Sequence, residues 1–385
     1  MSKANEYKQC TRCVMDTTAT EITFDEKGEC NFCKDFDLLA HKTIWRPKEI
    51  RLKELNDSVK RIKEIGIKDK YDCLMGLSGG VDSSYLCYWA KQVGIRPLIV
   101  HFDNGWNSEL AVQNIENIIK KTGFDLYTYV INWEEFKDLQ LAYIKASVLD
   151  IEVPTDQLIF ASLFRIARKF KIKSVVNGNN ISSEGILPKS WYFPDKLDIV
   201  NLTEIHKRFG TKKLKDFPKL GLTQMFINQR LYKMHSIPPL NLMDYDKNKA
   251  KELLIKEFGW RDYGGKHYES IFTRFYQGYI LPRKFQVDKR KAHLSSLVAS
   301  GGITRAEAIE ELKKPTYDPV AQKEDYEYAL KKFDLTAEQF EIYMNEKPIP
   351  HAFYGTQWDK KHFRKFYIFK KVVGPFLDLI AKLKS

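Results

Sequence analysis

The chain has 385 residues, 43% of them hydrophobic, which is enough for substantial cores and, at roughly 150 residues per domain, for two or three domains. Lys and Arg outnumber Asp and Glu by 63 to 50, and the formal net charge of +13 favours an anionic partner such as a nucleotide, a nucleotide-linked sugar, RNA or a membrane surface. The first residues are polar and no long uninterrupted apolar run follows, so neither a secretory leader nor a spanning helix is expected, and the expected location is cytoplasmic.

Four of the six cysteines fall in two Cys-x-x-Cys pairs, Cys10 with Cys13 and Cys30 with Cys33, sixteen residues apart around a turn-rich stretch (Thr23-Phe-Asp-Glu-Lys-Gly). This is the spacing of a zinc ribbon, in which four thiolates close a tetrahedral structural site and leave no open position for chemistry. Paired disulfides are the other reading, disfavoured in a reducing compartment. Leu52, Leu55, Val59, Ile62 and Ile65 then recur at three- and four-residue steps, predicting a helix over 48–65 ended by Gly66.

From residue 71 the pattern alternates. Strands are predicted over 71–77, 97–102, 126–131 and 173–177, and helices over 83–93, 108–121, 133–147 and 157–170, which argues for α/β architecture with a parallel sheet covered on both faces. The last third is aromatic and basic, with helical patterns over 304–313, 322–333 and 337–345. The expected domains are a zinc-binding knuckle (1–45), an α/β domain (46–239) and a mainly helical substrate or partner domain (240–385).

In a parallel sheet, ligands sit at the carboxyl ends of strands. The first strand ends in Gly76-Leu-Ser-Gly-Gly-Val-Asp-Ser-Ser84 and runs directly into a helix. Adjacent glycines let the backbone turn tightly with its N–H groups inward, and the helix start adds partial positive charge, as a phosphate chain requires. There is no Lys-Ser or Lys-Thr of a Walker A loop and no Gly-x-Gly-x-x-Gly, which argues against the ordinary kinase, GTPase and dehydrogenase sites. The residues Ser78-Gly-Gly-Val-Asp-Ser83 resemble the pyrophosphate loop of the PP-loop ATP pyrophosphatases, enzymes that adenylylate a substrate oxygen. On that resemblance Ser78, Gly79, Gly80, Val81, Asp82, Ser83 and Ser84 are candidates to hold pyrophosphate, with Ser78, Asp82 and Ser83 nearest the chemistry. Asp82 is either a magnesium-side carboxylate or a helix cap. Two further strand ends fit the same site, one offering Asp103 towards adenosine, the other Gly178 and Asn179 towards the phosphates with Glu184 towards magnesium.

The chain as a whole resembles the N-acetyl sugar amidotransferase family of surface-polysaccharide biosynthesis. The resemblance is carried by Cys10-Thr-Arg-Cys-Val-Met-Asp16, by the serine-glycine loop, and by Gly264-Gly-Lys-His-Tyr-Glu-Ser270 continuing through Phe272-Thr-Arg274, Leu281-Pro-Arg-Lys-Phe285 and Asp288-Lys-Arg-Lys-Ala-His-Leu-Ser295. It implies conversion of a sugar acetamido group to an acetamidino group with ATP, Mg2+ and ammonia, and a separate glutaminase subunit, since the chain has no glutaminase elbow of its own. Lys266, His267, Arg274, Lys284, Lys289 and Arg290 are the candidates for an acidic sugar or nucleotide-sugar diphosphate; the other reading of each is a solvated basic face. The cluster Lys207, Arg208, Lys212, Lys213 and Lys215 carries no assignment. The segment 372–383 is amphipathic and a candidate for weak membrane contact, packing on the core being the simpler expectation. No nucleic acid is expected as partner. The rival reading keeps the ATP chemistry and makes a tRNA base the acceptor.

Overall fold

A computed structural model describes residues 6–232, 234–264 and 268–367 of the chain. Its centre is a five-stranded, wholly parallel sheet in the order β3-β2-β1-β4-β5, with β1 at Cys73–Gly76, β2 at Pro97–Asp103, β3 at Asp125–Val130, β4 at Ser174–Val176 and β5 at His235–Ile237. The first four match the predicted strands. The fifth, a His-Ser-Ile tripeptide, is too short to show any periodicity and becomes a strand only by pairing with β4.

Strands β1 and β2 read as continuous apolar runs because both faces are covered. On one face Cys73, Met75 and Ile99 join a core with Leu86, Ile115, Leu254 and Trp260, supplied by helices Val81–Gln92, Glu109–Thr122 and Lys247–Phe258 and the residues just after them. On the other, Leu74, Leu98 and Val100 pack with Ile166 and Ala167 of helix Val153–Lys169. The alternation along each strand is the period-2 rule at work. Helix Glu109–Thr122 begins where Ser108 Oγ accepts from the Ala111 amide and stops at Gly123, whose φ of 75° ends the helical ladder.

Some boundaries shifted for local reasons. Helix Val153–Lys169 starts before the predicted residue 157, and helix Pro319–Phe333 starts before 322, because proline is tolerated in a first helical turn and Asp318 caps the second. The first helix of the sheet domain begins at Val81 instead of 83, directly off the glycines.

The knuckle is tied to the last third of the chain. Arg305 donates to the carbonyls of Cys10 and Cys13 at 3.0–3.2 Å, the Val14 amide donates to Ser295 Oγ at 3.2 Å, and Lys291 pairs with buried Asp16. One apolar core runs from Cys10, Met15 and Phe36 through Trp106 and Phe136 to Phe272 and Phe340, so the three expected domains share an interior. The last third is helical, as expected, and includes a stretch of π-helical geometry at Tyr276–Phe285. No helix among the described residues is long and apolar enough to cross a membrane. The segment 372–383 lies outside the described residues.

Candidate active site

The chain winds outward from β1 through β2 to β3, then crosses back to place β4 on the other side of β1, so the strand order reverses between β1 and β4. That reversal opens a crevice beyond the carboxyl ends of β1 and β4, where doubly wound sheets bind ligands. The serine-glycine loop fills the β1 side. Gly79 has φ +83°, and a Cβ there would stand 2.6 Å from the Ala111 carbonyl oxygen, so both conformation and space require glycine. The Gly80 amide donates to Ser78 Oγ at 3.2 Å, the Ser78 and Ser83 hydroxyls lie 3.2 Å apart, and the Ser83 hydroxyl donates to the Gly80 carbonyl at 3.2 Å. Ser84, by contrast, is fully buried and so does not open onto the crevice.

The β4 exit closes on this loop: a Cβ on Gly178 would stand 3.7 Å from Asp82 Cβ and 3.9 Å from the Ser83 amide nitrogen. Asn180 then caps the short helix Ile181–Glu184 by accepting from the Ser182 amide. Asn179 and Glu184 are exposed and line one cavity together. At the β2 exit, Asp103 Oδ1 accepts from the Gly105 amide at 3.0 Å and from Asn107 at 3.4 Å, which shapes the turn. Buried His101 bridges the two exits, 3.1 Å from the Leu77 carbonyl through Nδ1 and 3.1 Å from Asn107 through Nε2. Burial lowers its pKa, which suits the neutral ring with Nδ1 as donor and Nε2 as acceptor.

Three side chains from beyond β5 also reach the loop. Trp260 Nε1 donates to the Gly79 carbonyl at 2.9 Å, the Val81 amide donates to the Tyr263 hydroxyl at 3.2 Å, and the Tyr245 hydroxyl donates to Asp82 Oδ1 at 2.5 Å. The sequence reading assigned none of them; their only signal is an aromatic cluster, which reads equally well as core.

Beside the β4 exit, cavities of ≈ 430 Å³ and ≈ 250 Å³ share Gln277, Lys289 and His293 as lining. Among the basic candidates Lys289 faces both. Arg290 lines the smaller one, but its guanidinium donates to Asp288 at 2.8 Å and to the Lys314 carbonyl at 2.8 Å. Arg274 is committed to a fork on Asp325 at 2.6 and 2.7 Å. Lys284 donates to Ser147 Oγ at 2.9 Å and to the Tyr343 carbonyl, and burial lowers its pKa. Lys266 and His267 lie outside the described residues.

In the knuckle, all four cysteine sulfurs lie within 4.8 Å of one another. The Cys10–Cys33, Cys13–Cys30 and Cys30–Cys33 separations are 3.9, 3.7 and 3.7 Å. A tetrahedron with zinc–sulfur bonds of about 2.3 Å has edges of about 3.8 Å, so the residues fit zinc, and no pair is at disulfide distance. Cys73 and Cys87 are fully buried, and burial pushes the Cys87 thiol up to about 12, which makes it an inert core residue.

Residues 269–367 match the family described as LPS biosynthesis protein WbpG-like, C-terminal domain. Over 79 residues the chain is 34% identical to a tRNA(Ile)-lysidine synthase of Chlamydia pneumoniae, covering 20% of this chain and 24% of that protein. Over 204 residues it is 24% identical to the tRNA-specific 2-thiouridylase MnmA of Clostridioides difficile (strain 630), covering 48% of this chain and 50% of that one. The chain thus spans between a quarter and a half of the length of these curated relatives. Among solved structures, the U34-tRNA thiolase NcsA from Methanococcus maripaludis aligns over 79% of this chain and 88% of its own at 14% identity, with a TM-score of 0.31, too low to carry an argument. A serine-glycine loop at the switch point of a parallel sheet, similarity to the two tRNA-modifying relatives and a C-terminal region matching the WbpG-like domain together support a PP-loop ATP pyrophosphatase reading of this chain.

Proposed function

We propose that this protein is an ATP-dependent, AMP-forming C–N ligase that converts the acetamido group of an acidic or nucleotide-linked sugar to an acetamidino group, in the cytoplasm, with ammonia from a separate glutaminase subunit. The observation that carries the ATP half is the loop Ser78–Ser84 at the switch point, with Gly178 packed against Asp82. The sugar half is supported by the match of residues 269–367 to an LPS-biosynthesis domain and by the cavities that Lys289 lines beside the loop.

An amide carbonyl is a weak electrophile and its oxygen a poor leaving group. Attack of that oxygen on the α-phosphate of ATP releases pyrophosphate and leaves an O-adenylyl imidate; ammonia adds to its carbon, the C–O bond breaks, AMP departs, and one proton is lost to give the amidinium. The protein's part is to hold pyrophosphate while charge gathers on it. Loop amides and the Ser78 and Ser83 hydroxyls, which bond to one another within the loop, are the candidate donors that would turn to the phosphate oxygens. Asp82, with exposed Glu184 as a second candidate, would hold magnesium, which when bound neutralises charge on the leaving group. Asp103 is the candidate on the adenosine side, and Lys289 the best placed of the basic candidates for substrate. The four-cysteine cluster would hold zinc as a structural ion.

A second reading, in which the acceptor is a tRNA base, is favoured by the similarity to a tRNA(Ile)-lysidine synthase and a tRNA-specific 2-thiouridylase. Release of AMP and pyrophosphate from ATP, Mg2+ and ammonium would be followed against a panel of acetamido sugars, free and nucleotide-linked, with bulk tRNA as rival acceptor. Sugar-dependent release with a decrease of about one mass unit in the sugar, from exchange of O for NH, is the expected result. Release that depends on tRNA alone overturns the sugar reading.

A further inference from the structure

The stretch after β5 is built to hold the loop. Asp244 is pinned by Lys48 at 2.7 Å and Arg51 at 2.6 Å. The next residue, Tyr245, packs its ring against Tyr85 with centroids 5.1 Å apart and donates its hydroxyl to Asp82 Oδ1 at 2.5 Å. Asp246 caps helix Lys247–Phe258, whose Phe258 packs edge-on against Tyr88 at 6.3 Å. Tyr245 is therefore fixed from both sides in sequence and by an aromatic neighbour on the loop's own helix. Its bond satisfies one oxygen of Asp82, while Oδ2 has no hydrogen-bond or ion-pair partner among the described residues. A carboxylate held at one oxygen and open at the other is restrained in rotation and ready for a cation at the open oxygen, the way outer groups orient a metal's ligands.

Resting on the reading of Asp82 as the magnesium-side carboxylate, we infer that Tyr245 is a positioning residue for the magnesium–pyrophosphate complex, orienting Asp82 so that Oδ2 meets the ion. Its hydroxyl touches neither nucleotide nor sugar; it acts through Asp82. Removing it frees the carboxylate to rotate, so the loss falls on the metal and not on the phosphate.

The test is calorimetric titration of the full chain with pyrophosphate at a series of Mg2+ concentrations, comparing wild type, Tyr245→Phe and Tyr85→Phe, the last removing a neighbouring phenol that packs against Tyr245 without bonding to Asp82. Tyr245→Phe should bind metal-free pyrophosphate as wild type does but need about tenfold more Mg2+ for half of the metal-dependent tightening, the effect of losing one charge-assisted hydrogen bond. Tyr85→Phe should follow the wild-type curve. A Tyr245→Phe curve that overlays wild type, or one weakened equally with and without Mg2+, overturns the inference. If Tyr245→Phe does not fold, Tyr245→Leu, which also removes the donor, is read against the same curves, and displacement no greater than that of Tyr85→Phe overturns the inference too. Failure of the wild type to bind pyrophosphate even with Mg2+ would instead sink the PP-loop reading, and this inference with it.

Discussion

At Gly79 the backbone φ of +83° and the Ala111 carbonyl, 2.6 Å from where a Cβ would stand, both exclude a side chain. Gly79→Ala should cost about 1–3 kcal/mol of stability and abolish pyrophosphate binding in titration, whereas Gly76→Ala, whose Cβ would meet nothing within 4 Å, should leave binding near wild type. Arg274 shows why a basic residue in a promising motif is not by itself a substrate ligand. Its guanidinium is spent on Asp325, which is 5% exposed, so Arg274→Ala should lower stability by about 3–5 kcal/mol in a denaturant melt by leaving that carboxylate without its cation. Lys289 lies over the Tyr276 ring at 5.7 Å and near the carboxylates of buried Asp150 and of Glu152, so Lys289→Ala should cost some stability in the melt, and under the proposed function it should also raise the KM for the sugar. His351 is held neutral in the interior: it accepts from the Asp150 amide at Nε2 and lies 3.0 Å from Asn201 Oδ1 at Nδ1, and burial brings its pKa down from 6.5 to about 4. The unfolded chain then binds more protons than the folded one between those values. Stability from this group is full above about 6.5 and falls as pH drops towards 4, by about 3 kcal/mol at most. Thermal midpoints measured from pH 7.5 downward should show a fall that His351→Gln flattens.

Among the elements, the four-cysteine knuckle was the most legible, because cysteines three residues apart in sequence must be close in space. What the spacing did not show is where the knuckle docks. Arg305, Ser295 and Lys291 bind its backbone and Asp16, so metal loss should propagate into helices Arg290–Ser300 and Arg305–Lys313. Chelation, or Cys33→Ser, should lower the melting midpoint of the whole chain and increase amide exchange in those two helices; exchange confined to the first forty residues would show the knuckle to be independent. Strands β1 and β2 were legible as apolar runs, and β3 and β4 as strands in the strand-helix alternation, but β5 was not, since three residues carry no period and their strand state depends on Ser174–Val176 alongside.

For the molecule as a whole, the net charge of +13 is compatible with either acceptor class. Salt separates them. Binding of a tRNA through many phosphates should weaken steeply and log-linearly with ionic strength, whereas a nucleotide sugar with a single diphosphate should give a shallow slope. The proposed function predicts the shallow slope for the acceptor that supports AMP release, measured as KM between 50 and 200 mM salt, a range in which multi-phosphate contacts lose about three to five orders of magnitude in affinity.

The loop from Ser78 to Ser83, the four cysteines and the parallel strand-helix alternation could be read from the sequence alone. In each case the physics is local: adjacent glycines let consecutive residues turn tightly between strand and helix, cysteines at fixed spacing converge, and apolar side chains repeat with the period of the element that buries them. Only the tertiary structure decided which polar groups share the site. Lys289 faces the cavities while Arg274, Lys284 and Arg290 are bound to Asp325, the Tyr343 carbonyl and Asp288, and Tyr245 and Tyr263 meet loop residues 163 and 182 positions earlier. A charge or a phenol carries no mark in sequence of the partner it will find, because that partner arrives through packing of distant segments, and packing is what a linear pattern leaves out.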